Sequence, residues 1–563
     1  MPGMATRRSG TDFSPSDTGQ HGWNPLTLAL LAALWIAGPA NWPLWRALAR
    51  LPEMDSTRGM VFVLGFGVMV AALHLALLAL FAWRHSAKPV IALFLVSAAL
   101  AAHFMGSYGV VIDPTMMTNV LQTDPRETRD LLNGRLAASV LLLAGVPLAL
   151  LWQAHLSATR VSAQALRNGL ALLASLGLVV ALVLAMFIDL SATMRNHKSI
   201  RYLINPVNAF WSLGVLAVEA NARPAGPPVA IGNDARLLPR AAGAKPPLLL
   251  LVVGETARAD HFSLNGYARP TNPELARLPV TSFRNVTSCG TNTAESLPCM
   301  FSHLGRAGHQ ARERDHENLL DLLQRAGLAV LWLDNQSGCK GLCDRVPHAR
   351  ASDPADPASP LPPGLCADGE CLDDALLHDF GVRWQALDAA RRARGTVIVL
   401  HPMGSHGPAY FKRSPPSRKP FLPECTTNVL QSCDRQQLIN AYDNSIAYTD
   451  HVLAQAIGWL TAQAADHDAS LLYVSDHGES LGENNLFLHG LPYALAPREQ
   501  THVPVLLWLS ADGDAARRLR PGCLPQQRDA VLSHDHLFHT VLGLVGVAAA
   551  EYQPKLDLLA GCR

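Results

Sequence analysis

At 563 residues the chain has room for two or three domains, and 46 basic against 45 acidic side chains leave a net charge of +1. That balance provides no clustered basic face, which excludes a nucleic-acid partner. The charge is unevenly spread: roughly the first 190 residues are mostly apolar, and the remainder has the composition of an ordinary soluble protein.

Five apolar stretches are long enough to span a bilayer, which takes about 20 helical residues. They run over 25–48, 60–83, 89–108, 136–156 and 170–190. The first is read as a retained anchor, because a second span comes closely after it and no small-residue cleavage site separates them. Arg7 and Arg8 precede the first span, Arg84 and Lys88 join the second to the third, and Arg160 and Arg167 join the fourth to the fifth. The positive-inside rule puts these segments in the cytoplasm, together with residues 1–24. The opposite loops carry Arg50, Arg58, Arg126, Arg129 and Arg135, so the bias alone is modest. An odd number of spans then sends the C-terminal half out of the cytoplasm.

The loop at 108–135 is longer than the others and carries Asn119 and Glu127. Composition alone makes it a solvated loop. After the last span, 204–220 is apolar but short, with Pro206 near its start, and is expected to lie in the membrane interface. The stretch 221–247, rich in Pro, Gly and Ala, reads as a linker. Residues 191–247 thus separate a five-helix membrane domain (25–190) from a catalytic domain (248–563).

From residue 248 onward, apolar runs at 248–253, 329–333, 396–400, 471–474 and 503–509 alternate with helical segments. This is the pattern of an α/β domain with a mostly parallel central sheet. Residues able to do chemistry stand directly behind four of these runs: Gly254-Glu255-Thr256, then Asp334-Asn335, then His401 to His406, then Asp476-His477-Gly478-Glu479. Ligands bind beyond the carboxyl ends of strands in such sheets, so these residues gather at one edge.

All ten cysteines lie beyond residue 288, as expected of disulfides in an oxidising compartment. Proximity groups Cys289 with Cys299, Cys339 with Cys343, Cys366 with Cys371, and Cys425 with Cys433, leaving Cys523 and Cys562. A competing assignment makes Cys339, Cys343, Cys366 and Cys371 a structural zinc site.

Glu255, Asp476 and His477 form a hard-to-borderline donor set suited to zinc. A catalytic metal leaves a position for a nucleophile, and the candidate hydroxyls Thr291, Thr293 and Ser296 crowd between Cys289 and Cys299. Chemistry alone does not rank them. An alcohol needs a metal or a base to attack near neutral pH. His406 and His489 suit phosphate binding, leaving-group protonation or a second metal, and Lys340 suits a phosphate oxygen.

The runs Gly254-Glu-Thr-Ala-Arg, Ser288-Cys-Gly-Thr-Asn-Thr-Ala-Glu-Ser-Leu-Pro-Cys, Gly404-Ser-His-Gly-Pro and Ser475-Asp-His-Gly-Glu-Ser-Leu-Gly-Glu resemble the lipid A phosphoethanolamine transferases, which include the mobile colistin resistance enzymes. The resemblance extends over nearly the whole chain. It implies an alkaline-phosphatase-like (sulfatase-like) domain in the periplasm, anchored in the bacterial inner membrane as a monomer among its lipids. It also implies a Thr293 nucleophile and Glu255, Thr293, Asp476 and His477 as zinc ligands, with one ion held tightly and a second left open. His406, His489, Lys340 and Thr291 correspond to contacts with the substrate phosphate. Asn119 and Glu127 correspond to contacts with the ethanolamine, reversing the solvated-loop assignment. The implied donor is phosphatidylethanolamine and the implied acceptor a lipid A phosphate, with diacylglycerol released. One departure is Glu295, where the family has an uncharged residue. A phosphoglycerol transferase is the nearest rival; a sulfatase is disfavoured because Thr293 stands where its Cys/Ser-x-Pro-x-Arg signature belongs.

Overall fold

The computed structural model describes residues 22–123, 125–222, 226–356, 358–367 and 369–563. The expected cytoplasmic segment at 1–24 therefore lies mostly outside the described residues. The chain divides into two compact units, one of 1–41, 49–99 and 140–190, the other of 42–48, 100–139 and 191–563.

Among the described residues, five helices are long and apolar enough to cross a membrane: Pro25–Leu48, Thr57–Leu80, Ala87–Tyr108, Gly134–Gln153 and Val161–Ala185. The fifth begins nine residues before its expected start at 170 and ends five before its expected end. Its first turns carry Gln164 and Asn168, which on composition should lie outside the span. Both are buried, and their side-chain amides donate to the Ala82 carbonyl at 3.1 and 3.0 Å. Pairing removes most of the cost of burying these amides, so the helix starts early.

In the second unit the central sheet has eight strands: β1 (Pro247–Gly254), β2 (Val280–Thr287), β3 (Ala329–Asp334), β4 (His348–Arg350), β5 (Thr396–His401), β6 (Asp468–Ser475), β7 (His502–Leu509) and β8 (Leu532–Ser533). Their spatial order is β8-β2-β7-β6-β1-β5-β3-β4, and β7 alone runs against the rest. The sheet is mostly parallel, as its apolar runs predict. β1 is buried along its whole length because both faces are covered. Leu249, Leu251 and Val253 enter a core with Phe301, Trp332 and Phe538, whereas Leu248, Leu250 and Val252 enter one with Phe262, Tyr442 and Ile446. The second core is roofed by the helix Arg435–Gln463, started by the Asp434 carboxylate accepting from the amides of Gln436 and Gln437.

The ten cysteines form five disulfides: Cys289–Cys299, Cys339–Cys343, Cys366–Cys371, Cys425–Cys433 and Cys523–Cys562. With those thiols oxidised, the four-cysteine zinc alternative has no thiolates to use. Cys523–Cys562 closes the longest loop, with a sequence separation of 39. Loop-closure entropy predicts that Cys523→Ser with Cys562→Ser destabilises the soluble half by about 4 kcal/mol. A several-degree fall in its thermal midpoint is the expected readout, and an unchanged midpoint would contradict it.

Candidate active site

Three strand ends build the site. Glu255 succeeds β1, Asp476 and His477 succeed β6, and the loop after β2 leads into the helix Thr293–Met300. Asn292 caps that helix by accepting from the Glu295 amide, and the Cys289–Cys299 disulfide ties the loop to the helix. Thr293 thus stands at the first helical position, its hydroxyl fixed by a capped N-terminus.

The four side chains converge. Thr293 Oγ1 lies 3.3 and 3.2 Å from the two Glu255 oxygens and 3.4 Å from His477 Nε2. His477 Nε2 is in turn 3.4 Å from Glu255 Oε1 and 3.3 Å from Asp476 Oδ2. Neighbouring contacts orient each donor. Asp476 Oδ1 accepts from the amides of Thr256 and His477, at 3.2 and 2.8 Å, while its buried Oδ2 has no hydrogen-bond donor. His477 Nδ1 faces the Gly478 carbonyl at 2.9 Å, which fixes a proton on Nδ1 and turns Nε2 inward. Gln336 Nε2 donates to Glu255 Oε2 at 2.8 Å.

Glu255, Asp476 and His477 are fully buried. Burial and the neighbouring Glu255 charge push the Asp476 carboxyl up to about 6. Burial alone would lower His477, but the Asp476 and Glu255 carboxylates outweigh it and raise the imidazole to about 10. Burial also works to raise Glu255, yet the bond and charge of His477 hold it well below the carboxylate range. Two buried carboxylates therefore demand a cation beside them. Zinc's oxygen and nitrogen ligands sit at about 2.0–2.2 Å, so neighbouring corners of a tetrahedron lie about 3.3–3.6 Å apart. The observed separations match that edge, and the residues fit zinc.

A second cluster adjoins the first. The His489 ring lies 4.3 Å from that of His477 and 5.7 Å from that of His406. His489 Nδ1 pairs with Glu479 Oε2 at 2.7 Å, and Glu479 Oε1 accepts from the Tyr410 hydroxyl. Burial lifts Glu479 to about 8. A carboxyl group that holds an imidazole by Nδ1 fixes its orientation, as in a general acid–base pair.

A family model described as "Phosphoethanolamine transferase EptA/EptB" matches residues 70–220, and a sulfatase model matches 247–547. Phosphoethanolamine transferase EptA of Escherichia coli K12 is 39% identical over 548 residues, 96% of this chain and 97% of that protein. This chain belongs to the phosphoethanolamine transferase family. It is also 38% identical to phosphatidylethanolamine transferase Mcr-1 of E. coli, over 94% of this chain and 97% of the relative. The fold agrees: the integral membrane lipooligosaccharide phosphoethanolamine transferase A of Neisseria meningitidis superposes with a TM-score of 0.89 at 32% identity, covering 95% of this chain and 98% of that one. The fold expected from the sequence, five membrane helices and a sulfatase-like domain, is that of the family.

In this transferase the other predicted residues sit on the elements around the cluster. Thr291 Oγ1 donates to the Leu491 carbonyl at 2.6 Å, and the Gly490 amide donates to the Thr291 carbonyl at 2.8 Å, which ties the loop before Thr293 to the His489 segment. Lys340 Nζ donates to Ser337 Oγ at 3.0 Å and to the Gln122 carbonyl at 3.3 Å, at the end of the loop helix Pro114–Gln122. Asn119 lies half-buried on that helix, and the Glu127 side chain lies outside the described residues. Glu295 is half-buried, with Gln310 Nε2 on Oε1 at 3.2 Å, and burial raises its carboxyl.

Sequence reasoning assigned no role to Gln336, Tyr410 or Arg413. Gln336 was within reach, since it comes after Asp334-Asn335 at a predicted strand end. Arg413 is buried and donates to the His406 carbonyl at 2.8 Å, to Glu370 at 3.0 Å and to Asp130 at 3.3 Å. Asp130 belongs to the same loop as Asn119 and also receives Lys412. One guanidinium thus joins the loop to the segment carrying His406. Replacing Glu479 by Gln is expected to lower kcat at least about tenfold with zinc retained, because His489 loses the carboxyl that orients its ring and can exchange a proton with it. Steady-state rates per bound zinc check this; an unchanged rate would remove His489–Glu479 from the chemistry.

Proposed function

We propose that this chain transfers phosphoethanolamine from phosphatidylethanolamine to a phosphate of lipid A, through a covalent intermediate on Thr293. The observation that carries the proposal is the Thr293 hydroxyl, 3.2–3.4 Å from Glu255 and His477 in a buried cluster that requires a cation. Zinc bound there would lower the pKa of the threonine hydroxyl and stabilise charge on the transferring phosphoryl group. Thr293 gives up its hydroxyl proton to solvent, and its Oγ attacks the phosphorus of the donor as the bond to the glyceride oxygen breaks. His489, oriented by Glu479, protonates that oxygen, and diacylglycerol departs. A lipid A phosphate oxygen then attacks the phosphorus and displaces Thr293. His406, Lys340 and Thr291 contribute phosphate contacts, and Asn119 and Glu127 receive the ethanolamine.

The names of the relatives support the donor (phosphatidylethanolamine) and an acceptor in lipooligosaccharide. The disulfides and the five apolar helices support an inner-membrane enzyme whose soluble half faces the periplasm. Both substrates are lipids, so anchorage confines enzyme and substrates to one surface.

The test is mass spectrometry of lipid A from cells that lack their own transferase, with and without this chain. A phosphoethanolamine-sized addition only in expressing cells is the expected result. Added mass on core sugars alone would move the acceptor, and a phosphoglycerol-sized addition would move the donor. Modified cells should also resist polymyxin, since a cationic ethanolamine offsets the phosphate charge that attracts cationic peptides.

A further inference from the structure

His534 lies between β8 and the helix Asp535–Val545, outside the motifs that build the zinc-fitting cluster. Its side chain is 2% exposed. Nδ1 accepts from the Cys289 amide at 3.0 Å, and Nε2 donates to the Ser475 carbonyl at 2.9 Å. The His534 amide donates to the Thr287 carbonyl at 3.0 Å, fixing the ring's base to the end of β2. The two ring contacts bracket the site: Cys289 opens the loop that ends at Thr293, and Ser475 immediately precedes Asp476. Cys289 is also held from its other side. Arg306 Nε donates to the Cys289 carbonyl at 2.8 Å, and the Arg306 amide donates to Asp535, the neighbour of His534, at 2.7 Å.

We propose that His534 is a positioning residue that sets the nucleophile loop in register with the strand end carrying Asp476 and His477. A single ring with one acceptor and one donor spans the two segments, so displacing it moves Thr293 relative to its neighbours. Burial drives the imidazole down to about 4, which keeps it neutral and in this tautomer at working pH. The role in catalysis rests on the transferase function proposed for this chain, whereas the register of the loop does not.

Two variants of the full-length enzyme separate hydrogen bonding from packing. His534→Phe keeps a ring of similar bulk without either bond; His534→Gln keeps one acceptor and one donor. The expected result is a fall in kcat of about 10–100-fold for His534→Phe, with KM and zinc content close to wild type, and substantial recovery in His534→Gln. A packing role reverses that order, and a loss confined to KM would equally overturn the proposal. Hydrogen exchange of the peptide 286–300 should accelerate in His534→Phe but not in His534→Gln. That readout holds even if the wild type transfers no phosphoethanolamine, an outcome that would defeat the functional proposal alone. Should His534→Phe fail to fold, His534→Asn offers the same groups on a shorter arm. Activity and protection graded Gln above Asn support the register role, and equal values refute it.

Discussion

An Asp476→Asn enzyme is expected to bind zinc at least about 100-fold more weakly and to lose transfer activity in proportion. Asp476 Oδ1 is engaged by the Thr256 and His477 amides, so the new amide keeps its oxygen there and turns its NH2 toward the position of Oδ2. An NH2 is no ligand, and it aims donors at a point where a cation should sit. The neighbouring carboxylate also matters: with Asp476 neutral, one of the two charges that hold a cation is gone, leaving Glu255 and His477 alone. The fold should survive, because a proton on His477 can offset the one remaining buried carboxylate, Glu255. Metal analysis after dialysis, beside rates with and without added zinc, decides the matter. Chelation of the wild type should give the same inactive, folded state, reversed by zinc. Full zinc occupancy with a normal rate in Asp476→Asn would remove this cluster as the metal site.

The parts of this site that were legible in the sequence are those with local signatures. β1, β5 and β6 are buried on both faces and therefore read as continuous apolar runs, with Glu255 and Asp476-His477 directly behind two of them. β2 was not legible: Val-Thr-Ser-Phe-Arg-Asn-Val-Thr mixes polar and apolar residues, and only its pairing with β7 and β8 makes it a central strand. Arg413 with Asp130 and His534 with Cys289 are separated by 283 and 245 positions, so no spacing rule connects them. Such contacts exist only after the sheet has formed.

Backbone conformation was equally hidden. Thr256, Lys340 and Leu488 have φ of 50°, 49° and 63°, in the left-handed region that side chains with a Cβ avoid. Each stands within the site or beside one of its residues: Thr256 comes directly after Glu255, and Leu488 precedes His489. The conformation costs about 1–2 kcal/mol per residue, and surrounding bonds must offset it. At Glu255 those bonds are visible, since the Thr256 amide is held by Asp476 and the Thr256 carbonyl by the Tyr442 hydroxyl. The turn that aims Glu255 is thus fixed by two distant elements, the end of β6 and the long helix Arg435–Gln463.

The same local rigidity sharpens what Thr293→Ala should do. Asn292, not Thr293, caps the helix, and alanine is a good helix former, so stability should change by less than about 0.5 kcal/mol. Glu255, Asp476 and His477 keep their mutual contacts, and a cation still has its strongest donors. What disappears is the hydroxyl proposed to attack phosphorus. Transfer should therefore fall at least about 1000-fold while the enzyme stays folded. Thr293→Ser retains the oxygen but loses the methyl group that restricts its rotamers, and an intermediate rate is expected. The decisive measurement supplies phosphatidylethanolamine without acceptor and weighs the intact protein. Wild type should gain a phosphoethanolamine mass on the peptide containing Thr293, and Thr293→Ala should gain none. Thr291 and Ser296 lie on the same peptide, so fragmentation must place the adduct. An adduct on either of them would move the nucleophile along the loop, and an adduct-free wild type that still transfers would replace the two-step route with direct attack by the acceptor.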